Sequence, residues 1–72
     1  MSDFEKTETI RTILLKIAEK GERIRISGIY GNPPIEGKIV FVGNGIVALS
    51  TANNENPDSY FIIQYIMKIE II

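Results

Sequence analysis

The chain predicts a mainly β domain in which one N-terminal α-helix is followed by five short antiparallel strands. Three observations carry that prediction. Residues 35–49, IEGKIVFVGNGIVAL, read as two apolar, β-branched runs joined at Gly43-Asn44-Gly45, a strong hairpin signal. Ile10, Ile13, Leu14 and Ile17 recur at helical spacing near the start. Polar and apolar residues alternate in residues 22–27 and again after Met67, as in half-buried strands.

The helix is expected over about residues 3–20. Ser2 and Glu5 have the spacing of a capping box, and Asp3 and Glu5 lie where the helix dipole favours negative charge. Ile10, Ile13, Leu14 and Ile17 form one apolar face, with Leu15 and Phe4 off its centre. Lys16 and Lys20 suit the C-terminal end, and Gly21 suits the position just past it. A membrane-surface helix would need a more basic polar face, so the stripe is expected to pack on the sheet.

In residues 22–27, Ile24 and Ile26 face inward and Arg23 and Arg25 outward, with Ile29-Tyr30 continuing the strand beyond Gly28. Gly31-Asn32-Pro33-Pro34 reads as a turn, since two prolines donate nothing to a ladder. The hairpin follows from about Ile35 to Ser50. Gly37, inside its first strand, permits a bulge or a sharp bend, and Asn44 reads as a turn residue tolerating positive φ. A bent strand with a tight return curls a small sheet on itself. Thr51 to Ser59 is a polar surface loop. The uncharged run from Tyr60 to Met67 suggests a strand buried on both faces, with a short break near Gln64-Tyr65 before the last strand.

Composition narrows the function classes. At 72 residues the chain makes one domain, 1–72, and such a domain buries only about 60% of its unfolded surface. Yet 44% of its residues are hydrophobic, and about a fifth are isoleucine. That excess favours self-association over an exposed patch. A net charge of −1 gives no basic field towards nucleic acid or an acidic membrane. With no cysteine and no histidine, disulfides, thiolate metal sites and the usual general base are excluded. Neither a metal nor another cofactor is expected. No apolar run approaches the ~20 residues that cross a bilayer, and the acidic N-terminus is unlike a signal peptide, so a cytoplasmic protein is expected. The carboxylates fall on helix and loop surfaces, with Glu55 and Asp58 in the polar loop, and no catalytic residue or enzyme activity is expected. Arg11, Lys16, Lys20, Arg23, Arg25 and Lys38 would form a patch only if the helix and first strand met, and Glu8, Glu19, Glu22 and Glu36 would dilute it.

The element order and the central hairpin resemble the Sm-like family, the LSm and Hfq-like proteins. Ile35-Glu36-Gly37-Lys38-Ile39 fits the first Sm motif on its bent strand. Val42 to Leu49 matches the following turn and strand without a gap, and Ile62-Ile63-Gln64-Tyr65-Ile66 can be laid on the second motif. The resemblance implies a strongly bent five-stranded antiparallel open barrel of the SH3-like kind, spanning about 22–72 and capped by the helix. It implies a homo-oligomeric ring, of five to seven subunits, in which the fourth strand of one copy pairs with the fifth of the next. An uncharged apolar edge is an aggregation hazard unless paired, which agrees. The contact is expected at Tyr60, Phe61, Ile62 and Ile63 and at Ile66, Met67, Ile69 and Ile71.

The family's uridine pocket is degenerate here. Where the family places an acidic acceptor, a planar stacking side chain and a basic residue, this chain has Gly43, Gly45 and Ile63-Gln64. Asn44, Gln64 and Tyr65, with Lys38, remain as candidate contacts to single-stranded RNA. Two functions stay open: a ring that binds RNA with altered preference, and a structural or protein-interaction ring that has lost RNA recognition.

Overall fold

The computed structural model describes residues 3–28 and 33–72. The Ser2 end of the capping box, the Ile29-Tyr30 continuation and the Gly31-Asn32 half of the turn lie outside the described residues. Helix α1 spans Asp3–Lys20, and strands β1 (Arg23–Gly28), β2 (Ile35–Val42), β3 (Ile46–Ser50), β4 (Ser59–Ile62) and β5 (Ile66–Ile71) follow. A single 3-10 turn, Ile63–Tyr65, joins β4 to β5, at the break the sequence suggests.

The strands form one antiparallel sheet in the order β4-β3-β2-β1-β5. The two strands adjacent in sequence, β4 and β5, are therefore the opposite edges. In a flat sheet they would stand four spacings apart, about 19 Å. The chain crosses from Ile62 to Ile66 in four residue steps, which reach about 14 Å at most. The sheet must therefore curl. Packing agrees: a Cβ added to Gly28 on β1 would lie 2.5 Å from the Phe61 ring on β4, three strands away. The sheet is nevertheless open, because no ladder joins β4 to β5.

The core sits between the sheet and the helix. Leu14 and Ile17 of α1 meet Ile24, Ile26, Ile39, Val47, Leu49, Ile63 and Ile66, all buried. The helix lies against β2 and the 3-10 turn. Fully burying one such aliphatic side chain is worth about 1.5–3 kcal/mol. Ile10 packs at the rim, whereas Ile13 is left 45% exposed. Gly21 ends the helix with φ of +68°, the left-handed value that favours glycine there.

Three local expectations are corrected. The irregularity in β2 falls between Ile39 and Phe41, not at Gly37. The extra residue reverses the alternation, so Val42 packs on the core and Phe41 turns outward. Gly37 serves close approach instead, since a Cβ there would meet the Ser50 carbonyl oxygen at 2.6 Å. Neither Asn44 nor Gly45 takes a positive φ, so the hairpin turn does not use the conformation that Asn-Gly makes easy; it closes through the Gly43 amide, which donates to the Ile46 carbonyl at 2.7 Å. The run from Tyr60 to Met67 is not covered on both faces within the chain. Tyr60, Ile62, Tyr65 and Met67 are exposed, and only Ile63 and Ile66 are buried.

Loop 51–58 is held by its own side chains. The Asn54 amide donates to Ser50 Oγ, and the Thr51 hydroxyl and amide donate to the Asp58 carboxylate at 2.7 and 3.1 Å. The Thr51 bonds hold the Asp58 carboxyl below its usual value.

Candidate functional site

The curl brings two turns together at one end of the sheet. The Ile63 amide donates to the Gly45 carbonyl at 3.0 Å, tying the 3-10 turn to the β2–β3 turn. Asn44, Gln64 and Tyr65, three of the four candidate contacts, thereby come to lie on neighbouring turns, and all three are exposed. Ile63, between them, is wholly buried and anchors the 3-10 turn in the core.

The helix adds two cations that the sequence reading did not place here. Arg11 Nε donates to the Gly43 carbonyl at 2.9 Å, and Lys6 Nζ donates to the Gln64 carbonyl at 3.4 Å. Their spacing carried a signal. Lys6 stands four residues before Ile10, and Arg11 three before Leu14, so both flank the apolar stripe that faces the sheet. Each cation neutralises a carbonyl dipole at the mouth of a turn and keeps further N–H groups for an outside acceptor. The cluster therefore offers side-chain amides, one phenol ring and two cations. Such a set suits the edges and faces of unpaired bases and the phosphates between them.

Lys38 does not join this cluster. It pairs with Ser50 at the other end of the hairpin, and its ammonium lies 2.6 Å from Glu55. Arg25 is spent as well. Glu36 and Glu70 stand directly opposite it on β2 and β5; its guanidinium hydrogen-bonds Glu36 at 2.8 Å and forms a looser ion pair with Glu70 at 3.7 Å. The Glu36 hydrogen bond, with Glu70 behind it, raises the Arg25 pKa further. Two members of the wider basic patch, Lys38 and Arg25, are thus paired with carboxylates, while Arg11 reaches the turn cluster. Among the described residues no group of three or more acidic side chains gathers to hold a metal.

The two sheet edges hold most of the residues assigned to a contact between copies. On β4, Tyr60 and Ile62 are more than half exposed, and Phe61 is half-buried over the core. On β5, Met67 and Ile71 are more than half exposed and Ile69 is half-buried. Ile63 and Ile66, assigned to the same contact, are buried within the chain and line no open surface. Among the described residues no helix is long and apolar enough to cross a membrane. Comparison of the chain with protein-family models, with curated proteins and with solved structures finds no match.

Proposed function

We propose that this chain is the subunit of a Sm-like homo-oligomeric ring, built from open barrels, that holds single-stranded RNA at the turn cluster of Asn44, Gln64 and Tyr65. One observation carries the reading: strands adjacent in sequence form the two free, apolar edges of one curled sheet. Unlike edges on one subunit pair head to tail, and such pairing makes a closed ring when the rotation closes. Closure would gather one turn cluster from every copy around the axis. Five to seven copies of Asn44, Gln64, Tyr65, Lys6 and Arg11 would then face one strand, so weak single contacts add through multivalency. We place this role in the cytoplasm, where single-stranded RNA is abundant.

A second reading is a ring that scaffolds proteins without binding RNA. It is favoured by the engagement of Arg11 with a carbonyl and by the net charge of −1. Native mass spectrometry with anisotropy titrations of labelled oligo(U) and oligo(A) separates the readings. The proposal expects a single oligomer of five to seven copies and binding that weakens with salt. An oligomer without salt-sensitive binding at micromolar protein overturns the RNA role and leaves the scaffold. A monomer overturns the ring.

A further inference from the structure

Asn44-Gly45 is the one place in the chain where a glycine follows an asparagine. The bonds that hold this turn run from the Gly43 amide and to the Gly45 carbonyl. Among the described residues, nothing hydrogen-bonds the Asn44 side chain or the Gly45 amide, and Asn44 is exposed. A Cβ at Gly45 would meet nothing within 4 Å, and its φ is not positive, so neither packing nor the shape of the turn calls for glycine there. What glycine supplies is a backbone nitrogen that no side chain of its own shields, on the residue most free to bring it to the carboxamide. We infer that Asn44 is a site of self-modification, at which the chain converts its own turn to aspartyl and isoaspartyl forms. The Gly45 nitrogen loses its proton and bonds to Asn44 Cγ. The C–N bond of the carboxamide breaks, ammonia leaves with that proton, and a succinimide ring remains. Water then adds to one of the two ring carbonyls. Breaking the new N–Cγ bond leaves aspartate, and breaking the original peptide bond leaves isoaspartate, whose main chain runs through Cβ and Cγ. Water is the only co-reactant and ammonia the only molecule lost.

The other asparagines of the described residues are each blocked. The amide that follows Asn53 belongs to Asn54 and donates to Ser50 Oγ at 3.0 Å. Asn54 Oδ1 accepts the Ser50 hydroxyl and the Asn56 amide, at 3.0 and 2.8 Å. Asn56 precedes Pro57, which has no N–H to lose. The conversion acts on the turn cluster in two ways. Either product adds one negative charge to a chain of net charge −1, on the turn whose Gly43 carbonyl holds Arg11. The isoaspartyl form also adds a methylene to the main chain between Gly43 and Gly45. The Gly43 amide is fixed to the Ile46 carbonyl at 2.7 Å and the Gly45 carbonyl to the Ile63 amide at 3.0 Å, so the longer bond, to Ile63, takes up the added length. The 3-10 turn is thereby untied from the hairpin.

Ageing the full chain at neutral pH, followed by peptide mapping with mass detection, tests the inference. Residue 44 is expected to exchange amide for acid at least about tenfold faster than Asn53 or Asn54, a barrier difference of about 1.4 kcal/mol. An isoaspartyl methyltransferase given a labelled methyl donor is expected to label the aged chain and not the fresh one. Gly45→Ala sets a methyl group beside the attacking nitrogen, and is expected to slow the exchange by a similar factor while keeping the circular dichroism. An Asn44 no faster than Asn53 and Asn54, or a Gly45→Ala chain that ages like wild type, overturns the inference. Hydrogen exchange reads the tie between the turns. The Ile63 amide is expected to lose protection in the isoaspartyl chain and to keep it in Asn44→Asp, which carries the charge without the extra methylene. Protection kept in both overturns the untying. A loss of oligonucleotide binding on ageing rests on the RNA reading; a fresh chain that binds no oligonucleotide removes that reading and not the modification, which the peptide map reads directly.

Discussion

Two glycines in the same hairpin show how one missing methyl group decides different things. Gly37 lies where the Ser50 carbonyl passes 2.6 Å from a would-be Cβ, backbone against backbone. Gly37→Ala must push β2 and β3 apart, and a loss of about 1–3 kcal/mol is expected from urea midpoints. Gly45 has no neighbour within 4 Å of such a Cβ and no positive φ. Gly45→Ala is expected to be neutral or to stabilise by up to about 1 kcal/mol, through a less flexible unfolded chain. The sequence marks both positions as special, but only spatial neighbours tell a steric need from a tolerated one. Asp58 makes a residue-scale prediction in pH. Its carboxyl titrates lower in the folded chain than in the unfolded one, so the Thr51 bonds stabilise the loop above the usual carboxylate value of 3.8. That contribution is lost as pH falls through the lowered folded value. The stability gap between wild type and Asp58→Ala is expected to be flat above about pH 5 and to narrow below about pH 4. On the proposed ring, Tyr65→Ala removes a stacking contact from every copy, so oligonucleotide binding is expected to weaken by at least the factor of about 5 to 150 that one such contact is worth, as read by anisotropy.

Among the elements, α1 was readable almost in full. Its limits follow from the apolar stripe and from Gly21, and its two deepest residues, Leu14 and Ile17, lie on that stripe. Leu14→Ala is expected to cost about 2–5 kcal/mol, measured by denaturant unfolding, because the sheet cannot collapse into the space beneath it. What periodicity did not reveal is that Ile13, on the same stripe, stays half bare. A helix stripe can be wider than the surface that covers it, and coverage depends on where β5 ends. The β2 bulge was misplaced for a similar reason. Glycine signals freedom, but the strand slips where the ladder with β3 demands it, and that turns Phe41 outward to flank Ala48 with Tyr60 beyond. The fourth strand was located from its lack of charge and the fifth from the alternation after Met67. Their exposure was not, because the same pattern describes a strand buried by its own chain and a strand awaiting another.

For the whole molecule, the curl of the sheet is the decisive property. It joins two turns nearly twenty residues apart in sequence through the Ile63–Gly45 hydrogen bond, and it leaves β4 and β5 as open edges. A small sheet with two unpaired edges keeps backbone N–H and C=O groups along β4 and β5 open to a further strand. If copies pair through those edges, folding and assembly are linked by mass action. The Tm is then expected to rise with protein concentration across the micromolar range. A Tm independent of concentration, in a sample that sediments as a monomer, counts against the ring.

The helix, the number of strands, the hairpin and the turn before the last strand were determined by local pattern, because periodicity and turn chemistry act over a few residues. The same pattern set the excess of apolar residues and the absence of the chemistry that histidine and cysteine supply. Tertiary structure alone decided that β4 and β5 lie at opposite edges, that Lys6 and Arg11 reach the paired turns, that Lys38 is held away by Glu55, and that Ile63 belongs to the core. Each of those depends on which distant residues the curl brings within bonding distance, and spacing along the chain carries no measure of that.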